Sequence, residues 1–255
     1  MKITVVGSAD ATNSAGRGNA CYLVESPGAE KLMVDFGPTA LSAIKRLGIQ
    51  PSELGGIAFT HLHGDHTGGY PTLCIETMFG GGKNELAILG PPLTRKTLAE
   101  VFHAAYAELE SEIPERMHLD IDELGPGEQR SFAGYRIQAF AADHMAAPHQ
   151  ALCLRVTDAH GKSVAFSGDS RLCPGLLAAG DGVDLLVADC SKVAPPAGAH
   201  ATWQDWQSAL PNLTTRRLLL THLGSEMRQR GAELIAIAQP PIDVALADDG
   251  MVLEI

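Results

Sequence analysis

Ile57-Ala58-Phe59-Thr60-His61-Leu62-His63-Gly64-Asp65-His66-Thr67-Gly68-Gly69 sets three imidazoles and one carboxylate within six residues, directly after an apolar run. Ile57–Thr60 reads as a strand, so the four donors sit on a loop at its end. If strand alternation continues, His61, His63 and Asp65 face the same way, and a turn at Gly64 brings His66 round beside them. Imidazole and carboxylate together suit borderline divalent cations such as zinc, manganese or iron, and a carboxylate can bridge two of them. Burying these groups so closely with no metal would be costly, so the segment predicts a metal centre.

Working outward, further donors recur just beyond apolar runs: His144 after Arg136–Ala142, Asp169 in Phe166-Ser167-Gly168-Asp169-Ser170, and His222 in Leu218-Leu219-Leu220-Thr221-His222. Taken alone, a histidine after a strand is more often a surface or satisfied core residue than a ligand. The dense run at His61–His66 reverses that expectation for the group, because a sheet can deliver strand ends to one edge. His149 competes with His144 for the same role, and the apolar runs alone leave both open.

Short Val-, Ile- and Leu-rich runs alternate with helical patterns and Gly/Pro punctuation, which predicts a mixed α/β architecture. Strand candidates include Ser163–Phe166, Leu185–Asp189 and Arg217–Thr221, and helix candidates include Gly69–Met78, Thr94–Leu109 and Gly224–Arg230. No linker or repeat divides the chain, so residues 1–255 read as one domain. The small polar stretch Gly7–Ala20 is too long for a hairpin turn and reads as an active-site loop. It lacks the spacing of a dinucleotide or P-loop cradle.

With 255 residues, 45% hydrophobic and 19% charged, the chain has ordinary globular composition. Its formal charge of −11 argues against holding nucleic acid through a broad basic surface. Five scattered cysteines with no Cys-x-x-Cys pair indicate neither a disulfide framework nor a zinc knuckle. Met1–Val6 reads as an immediate first strand rather than a secretory signal, and no apolar stretch approaches a membrane span of roughly 18 residues. A cytoplasmic location with no membrane partner fits best.

His-x-His-x-Asp-His at 61–66, then a distant histidine, Ser167-Gly168-Asp169-Ser170 and Leu220-Thr221-His222 resemble successive motifs of the metallo-β-lactamase superfamily. The likeness spans most of the chain and is greatest to ribonuclease Z-like and small phosphodiesterase-like members. It implies a four-layer αββα sandwich, with one metal on His61, His63 and His144, a second on Asp65, His66 and His222, and Asp169 bridging both. It further implies two divalent ions, zinc first and manganese or iron as substitutes, sharing a hydroxide that attacks the substrate. Asp65 can also be read as a general base, though a carboxylate between histidine ligands is better used on metal.

By the same resemblance, Asp189 and His200 match an acidic residue and a histidine that protonate the leaving group. Ribonuclease Z-like proteins usually carry Glu where Asp189 stands, a departure that shortens this relay. Those proteins insert a tRNA-binding arm between the ligand histidine and the bridging Asp. Here only 24 residues, 145–168, separate His144 from Asp169, which leaves no room for it. The expected reaction is therefore hydrolysis of a small phosphodiester, with ester, lactone or thioester hydrolysis as the alternative and tRNA 3′-end cleavage less favoured. The resemblance also implies a homodimer. Arg17 is a candidate phosphate contact, and Trp203 and Trp206 read as core or dimer-contact residues.

Overall fold

Two seven-stranded sheets face each other in the computed structural model, which describes residues 1–255. The first is built from β1 (Lys2–Gly7), β2 (Cys21–Glu25), β3 (Lys31–Val34), β4 (Leu54–Ala58), β5 (Glu85–Gly90), β6 (His118–Glu123) and β14 (Val252–Glu254), in the order β14-β1-β2-β3-β4-β5-β6. The second holds β7 (Gln129–Phe132), β8 (Tyr135–Ala141), β9 (Leu152–Thr157), β10 (Ser163–Phe166), β11 (Leu185–Asp189), β12 (Arg217–Thr221) and β13 (Asp243–Leu246), in the order β13-β12-β11-β10-β9-β8-β7. Helices α1 (Ala40–Arg46), α2 (Gly64–Thr67), α3 (Tyr70–Phe79), α4 (Thr94–Tyr106) and α5 (Ile113–Arg116) belong to the first half of the chain. The second half contributes α6 (Pro174–Gly180), α7 (Trp203–Ala209) and α8 (Ser225–Ala238).

Side-chain alternation along the strands sorts the apolar residues into three cores. Val5, Val24 and Val34 of the first sheet meet Ile137, Leu154, Val187 and Leu219 of the second between the sheets. On the outer face of the first sheet, Leu23 and Met33 pack against Ile44 of α1, Leu73 of α3 and Phe102 of α4. On that of the second, Leu186, Leu218 and Leu220 pack against Leu176 of α6, Trp206 of α7 and Met227 of α8. Strands covered on both faces read as unbroken apolar runs, which is why Leu218-Leu219-Leu220 shows no polar alternation. The αββα sandwich follows from these three layers of contact.

The strand and helix boundaries carry the corrections. β4 stops at Ala58 rather than Thr60, and Gly64–Thr67 forms a turn of helix, so strand alternation does not run through His61–Asp65. Strands β6 and β7 have no counterpart in the sequence expectation. Both are sheet edges whose exposed faces carry Asp120, Asp122 and Gln129, the kind of polar edge that discourages pairing between molecules and also hides the apolar period. Helix α8 runs on to Ala238, past the expected end at Arg230. Gly231 inside it is a close-packing residue, since a Cβ there would lie 2.9 Å from a methyl of Leu246.

Chain direction positions the site. β3 to β6 run parallel, as do β10 to β13, so their carboxyl ends gather at one rim of the sandwich. No helix is long and apolar enough to cross a membrane.

Candidate metal centre

Each candidate donor lies at or just beyond the carboxyl end of a strand. His61, His63, Asp65 and His66 follow β4, His144 follows β8, Asp169 follows β10, Asp189 ends β11, and His222 follows β12. Three donor groups result, of which the third, Asp169, Asp189, His200 and His222, overlaps the other two. His61, His63, His144 and Asp169 form the first, and Asp65, His66, Asp169 and His222 the second, with the ligand atoms of each within 4.8 Å of one another. Asp169 belongs to all three: its Oδ2 lies 3.8 Å from His61 Nε2, 3.7 Å from His144 Nε2 and 3.4 Å from His222 Nε2, while its Oδ1 is 3.2 Å from His66 Nε2. Asp65 Oδ2 stands 3.3 Å from His66 Nε2 and 3.5 Å from His222 Nε2.

Apart from His144 Nε2 with His63 Nδ1 at 3.0 Å and His222 Nε2 with Asp65 Oδ2 at 3.5 Å, these atoms converge without hydrogen-bonding each other. His61 Nε2, His66 Nε2 and Asp169 Oδ1 are buried and have no hydrogen-bond partner. Leaving such groups unpaired costs about 1–3 kcal/mol each, whereas nitrogen and carboxylate donors aimed at a common point are what a borderline divalent cation takes. The residues present therefore fit two metal ions. His149, by contrast, is exposed and joins none of the groups.

Electrostatics agree with that use. Burial first, with His66 second, drives His61 well below the ordinary imidazole value, which keeps its nitrogen lone pair free. Burial alone would raise Asp65 and Asp169, but the imidazoles of His222 and His66 outweigh it and hold both carboxylates well below their usual range. Burial would lower His222, yet Asp169 and Asp65 lift it to about 9. A cation entering such a site competes with protons on the imidazoles, so metal affinity rises with pH.

Asp35 is the functional residue that the sequence reading missed. It lies just past β3 and is 1% exposed. It accepts from the backbone N–H and hydroxyl of Thr60, both at 2.8 Å, and from His66 Nδ1 at 2.8 Å. Thr60 Oγ1 in turn lies 3.1 Å from His61 Nδ1. One carboxylate thus orients a histidine in each of the first two donor groups, and fixes which ring nitrogen faces the metals. Asp35 and His222 both adopt left-handed φ, 62° and 53°, a strained conformation costing about 1–3 kcal/mol that clusters at working sites. The only prior signal for Asp35 was an acidic residue closing an apolar run in Val34-Asp35-Phe36-Gly37.

In the third group, His200 Nδ1 pairs with Asp189 Oδ2 at 2.8 Å, so the shorter Asp side chain does reach. Asp189 Oδ2 also accepts from Ser170 N–H at 3.2 Å, and its Oδ1 lies 3.8 Å from His222 Nδ1. Burial would lower His200, but Asp189 outweighs it and raises the imidazole above its ordinary value, which favours the protonated form. The rings of His200 and His222 stack at 5.1 Å. Both border a cleft of about 460 Å³ that is also lined by Asp10, Thr12, Ser14 and Lys192. The Gly7–Ala20 stretch does form a wall of the site. Arg17 does not face it as a free cation, because its guanidinium is paired with Asp248 at 3.0 and 3.1 Å. Trp203 and Trp206 are core residues, and Trp206 Nε1 donates to the Asp189 carbonyl at 2.8 Å.

The fold and the family of the chain follow from its likeness to known proteins. The chain is 24% identical over 306 aligned residues to a ribonuclease Z of Methanothermobacter thermautotrophicus, covering 100% of this chain and 97% of that one. It is 26% identical over 229 residues to an uncharacterised protein of Mycobacterium tuberculosis, covering 88% and 81%. Among solved structures it superposes on the metallo-β-lactamase fold protein YhfI of Bacillus subtilis with a TM-score of 0.79 at 21% identity, over 99% of both chains. A diphosphatase from the PhnP family matches with a TM-score of 0.77 at 20% identity, over 100% and 97%. Human tRNase Z, short form, gives 0.76 at 21%, over 100% and 99%. These structural likenesses establish the metallo-β-lactamase fold. The family model described as Anti-Pycsar protein Apyc1 matches residues 1–236, and the chain belongs to that family.

Proposed function

We propose that the protein is a metal-dependent phosphodiesterase acting on a small substrate. The observation that carries this reading is the Asp189–His200 pair, set against the second donor group and opening on the cleft. An alkoxide leaving from phosphorus needs a proton, and an imidazole held protonated beside the reacting centre can deliver it. Hydrolysis of an activated carbonyl ester needs that proton less. Names among the relatives point the same way, since both ribonuclease Z and diphosphatase denote cleavage at phosphorus.

Two divalent ions, zinc in the first place, would supply a nucleophile from water at neutral pH and draw charge from the phosphoryl oxygens. His61, His63 and His144 would hold one, Asp65, His66 and His222 the other, with Asp169 serving both. Asp189 orients His200 so that its Nε2 is the atom free to hand over a proton, and Asp35 keeps His66 and Thr60 in place. The cleft suits a small molecule, and the formal charge of −11 disfavours a long nucleic acid.

The deciding experiment is turnover by zinc- or manganese-loaded protein of an aryl phosphodiester, a lactone and a thioester, with Asp169→Ala as control. Metal-dependent cleavage of the phosphodiester alone is the expected result. A preference for either carbonyl substrate would replace this reading with that of an ester, lactone or thioester hydrolase using the same centre.

A further inference from the structure

Three loops meet at the rim of the metal centre, and one side chain binds all three together. Arg171 stands two residues beyond Asp169, and its backbone N–H donates to the Asp143 carbonyl at 3.1 Å. Its Nη1 donates to Asp143 Oδ1 at 3.1 Å, and its Nε donates to the Gly198 carbonyl at 2.9 Å. Ser170 Oγ adds a contact by accepting from Asp143 N–H at 3.0 Å. The next residue after Asp143 is the candidate ligand His144, and two residues beyond Gly198 is His200.

The residue between them closes the circuit. His144 Nδ1 lies 2.9 Å from the carbonyl of Ala199, which can only accept, so Nδ1 carries the proton. His144 Nε2 is thereby left with its lone pair, and this is the atom that faces His63 Nδ1 at 3.0 Å and Asp169. We infer that Arg171 is a positioning residue: by fastening Asp143 and Gly198 it keeps the Ala199 carbonyl against His144, so the third ligand of one donor group and the acid His200 are set by a single clamp. The part concerning His200 rests on the phosphodiesterase reading above; the part concerning His144 does not.

Arginine suits this place because a planar guanidinium presents separate N–H groups to two acceptors at once, which a lysine ammonium does with less directional control. Both Arg171 and Asp143 are half exposed, and an ion pair in that setting adds little to stability. Loss of the clamp therefore registers at the metal centre before it registers in unfolding.

The test compares Arg171→Gln, Arg171→Lys and Asp143→Asn with the parent protein. Zinc affinity is measured by chelator competition, kcat and KM on a phosphodiester with an alkoxide leaving group, the melting midpoint by calorimetry, and the His144 ring tautomer by nitrogen NMR of the chelator-treated protein. For Arg171→Gln, zinc binding weakens by about 10- to 100-fold, as for other residues that orient ligands. kcat falls by a similar factor with KM within about twofold. The melting midpoint moves by less than about 4 °C. His144 shifts from the Nδ1–H tautomer toward a mixture, and Arg171→Lys recovers part of each loss. Unchanged zinc affinity and tautomer in Arg171→Gln would overturn the inference, as would a variant that loses its fold, which would make Arg171 a residue of stability. Should no phosphodiester be turned over at all, the functional reading fails while zinc affinity and the tautomer still decide the role of Arg171.

Discussion

The metal centre has an inner wall and a rim, and the two are built on different terms. His61, His66, Asp169 and His222 form the inner wall, each no more than 3% exposed. His61 and His66 are braced by other buried side chains, Thr60 and Asp35, and Asp189 Oδ1 approaches His222 Nδ1 at 3.8 Å without bonding it. The rim histidines, His63, His144 and His200, lie on loops; the rings of His63 and His200 are partly open to solvent, and the buried ring of His144 leans on a backbone carbonyl. An inner residue cannot turn away without stranding a buried polar group, whereas rim residues can adjust to what enters the cleft. On the reading proposed above, wall and rim share the holding of metal, with His63 and His144 as rim ligands, while His200 alone among the rim histidines handles the leaving group. Substitutions at the wall and at His200 should separate metal content and stability from turnover.

The largest effect is expected at the residue all three donor groups share. Asp169→Ala should reduce metal content below two ions per chain and lower turnover by at least about 1,000-fold, since the charge at the reacting centre loses its support. Elemental analysis beside kinetics checks this, and a variant that keeps two ions would mean that the groups do not share a carboxylate. Asp35→Ala comes next and acts from outside the donor set. It leaves Thr60 N–H and His66 Nδ1 buried without an acceptor, at about 1–3 kcal/mol each. At roughly 2–4 °C per kcal/mol for a chain of this size, the melting midpoint falls by several degrees. Metal affinity drops about 10- to 100-fold with it. A normal midpoint with weakened metal binding would show that the wall is not braced as argued.

At the rim the two readouts part company. His200→Gln should keep both metals and the melting midpoint, yet lower kcat about 100-fold for substrates with a poor alkoxide leaving group. A nitrophenolate leaves unaided, so its release should change little. The sign of the pH effect follows from the raised imidazole: the acid is present below its pKa and lost as pH rises through it, so the parent loses alkoxide-releasing activity on the alkaline side. His200→Gln should lack that limb. An identical alkaline fall in the variant would assign the titration to another group and remove His200 from the role of acid.

This division also explains what the sequence displays and what it conceals. Donors at strand ends are visible because His, Asp and the apolar runs before them make a local pattern, so His61, His66, Asp169 and His222 stand out as candidates, while their division between two metals came from the family resemblance. His144 was preferred to His149 by its likeness to the family's ligand position, and the fold places His144, not His149, in a donor group. Asp35 was not visible, because its partners Thr60 and His66 lie about 25 and 31 residues away, and only folding brings them together. Arg171 was hidden for a different reason, since its importance lies in two backbone carbonyl contacts and a half-exposed carboxylate that no periodicity marks. The edge strands β6 and β7 were concealed by the charges that protect them. Extension of α8 past Gly231 depended on contact with Leu246, a tertiary reason that local propensity cannot carry.

The smallest predicted effect probes the seam between wall and rim. Trp206 Nε1 donates to the carbonyl of Asp189, whose side chain holds His200 with one oxygen and faces His222 with the other. Trp206→Phe retains an apolar ring in a fully buried site but leaves that carbonyl without its donor, at about 1–3 kcal/mol with some further loss from the smaller ring. The melting midpoint should therefore fall by a few degrees, while metal content stays at the parent level because no ligand has moved. If the tryptophan serves only packing, kcat follows the parent for all leaving groups. If it sets the backbone from which Asp189 reaches His200, kcat falls a few-fold for alkoxide leaving groups alone. The second outcome is the one expected, because a shift of Asp189 disturbs its 2.8 Å contact with His200 more than its longer 3.8 Å approach to His222.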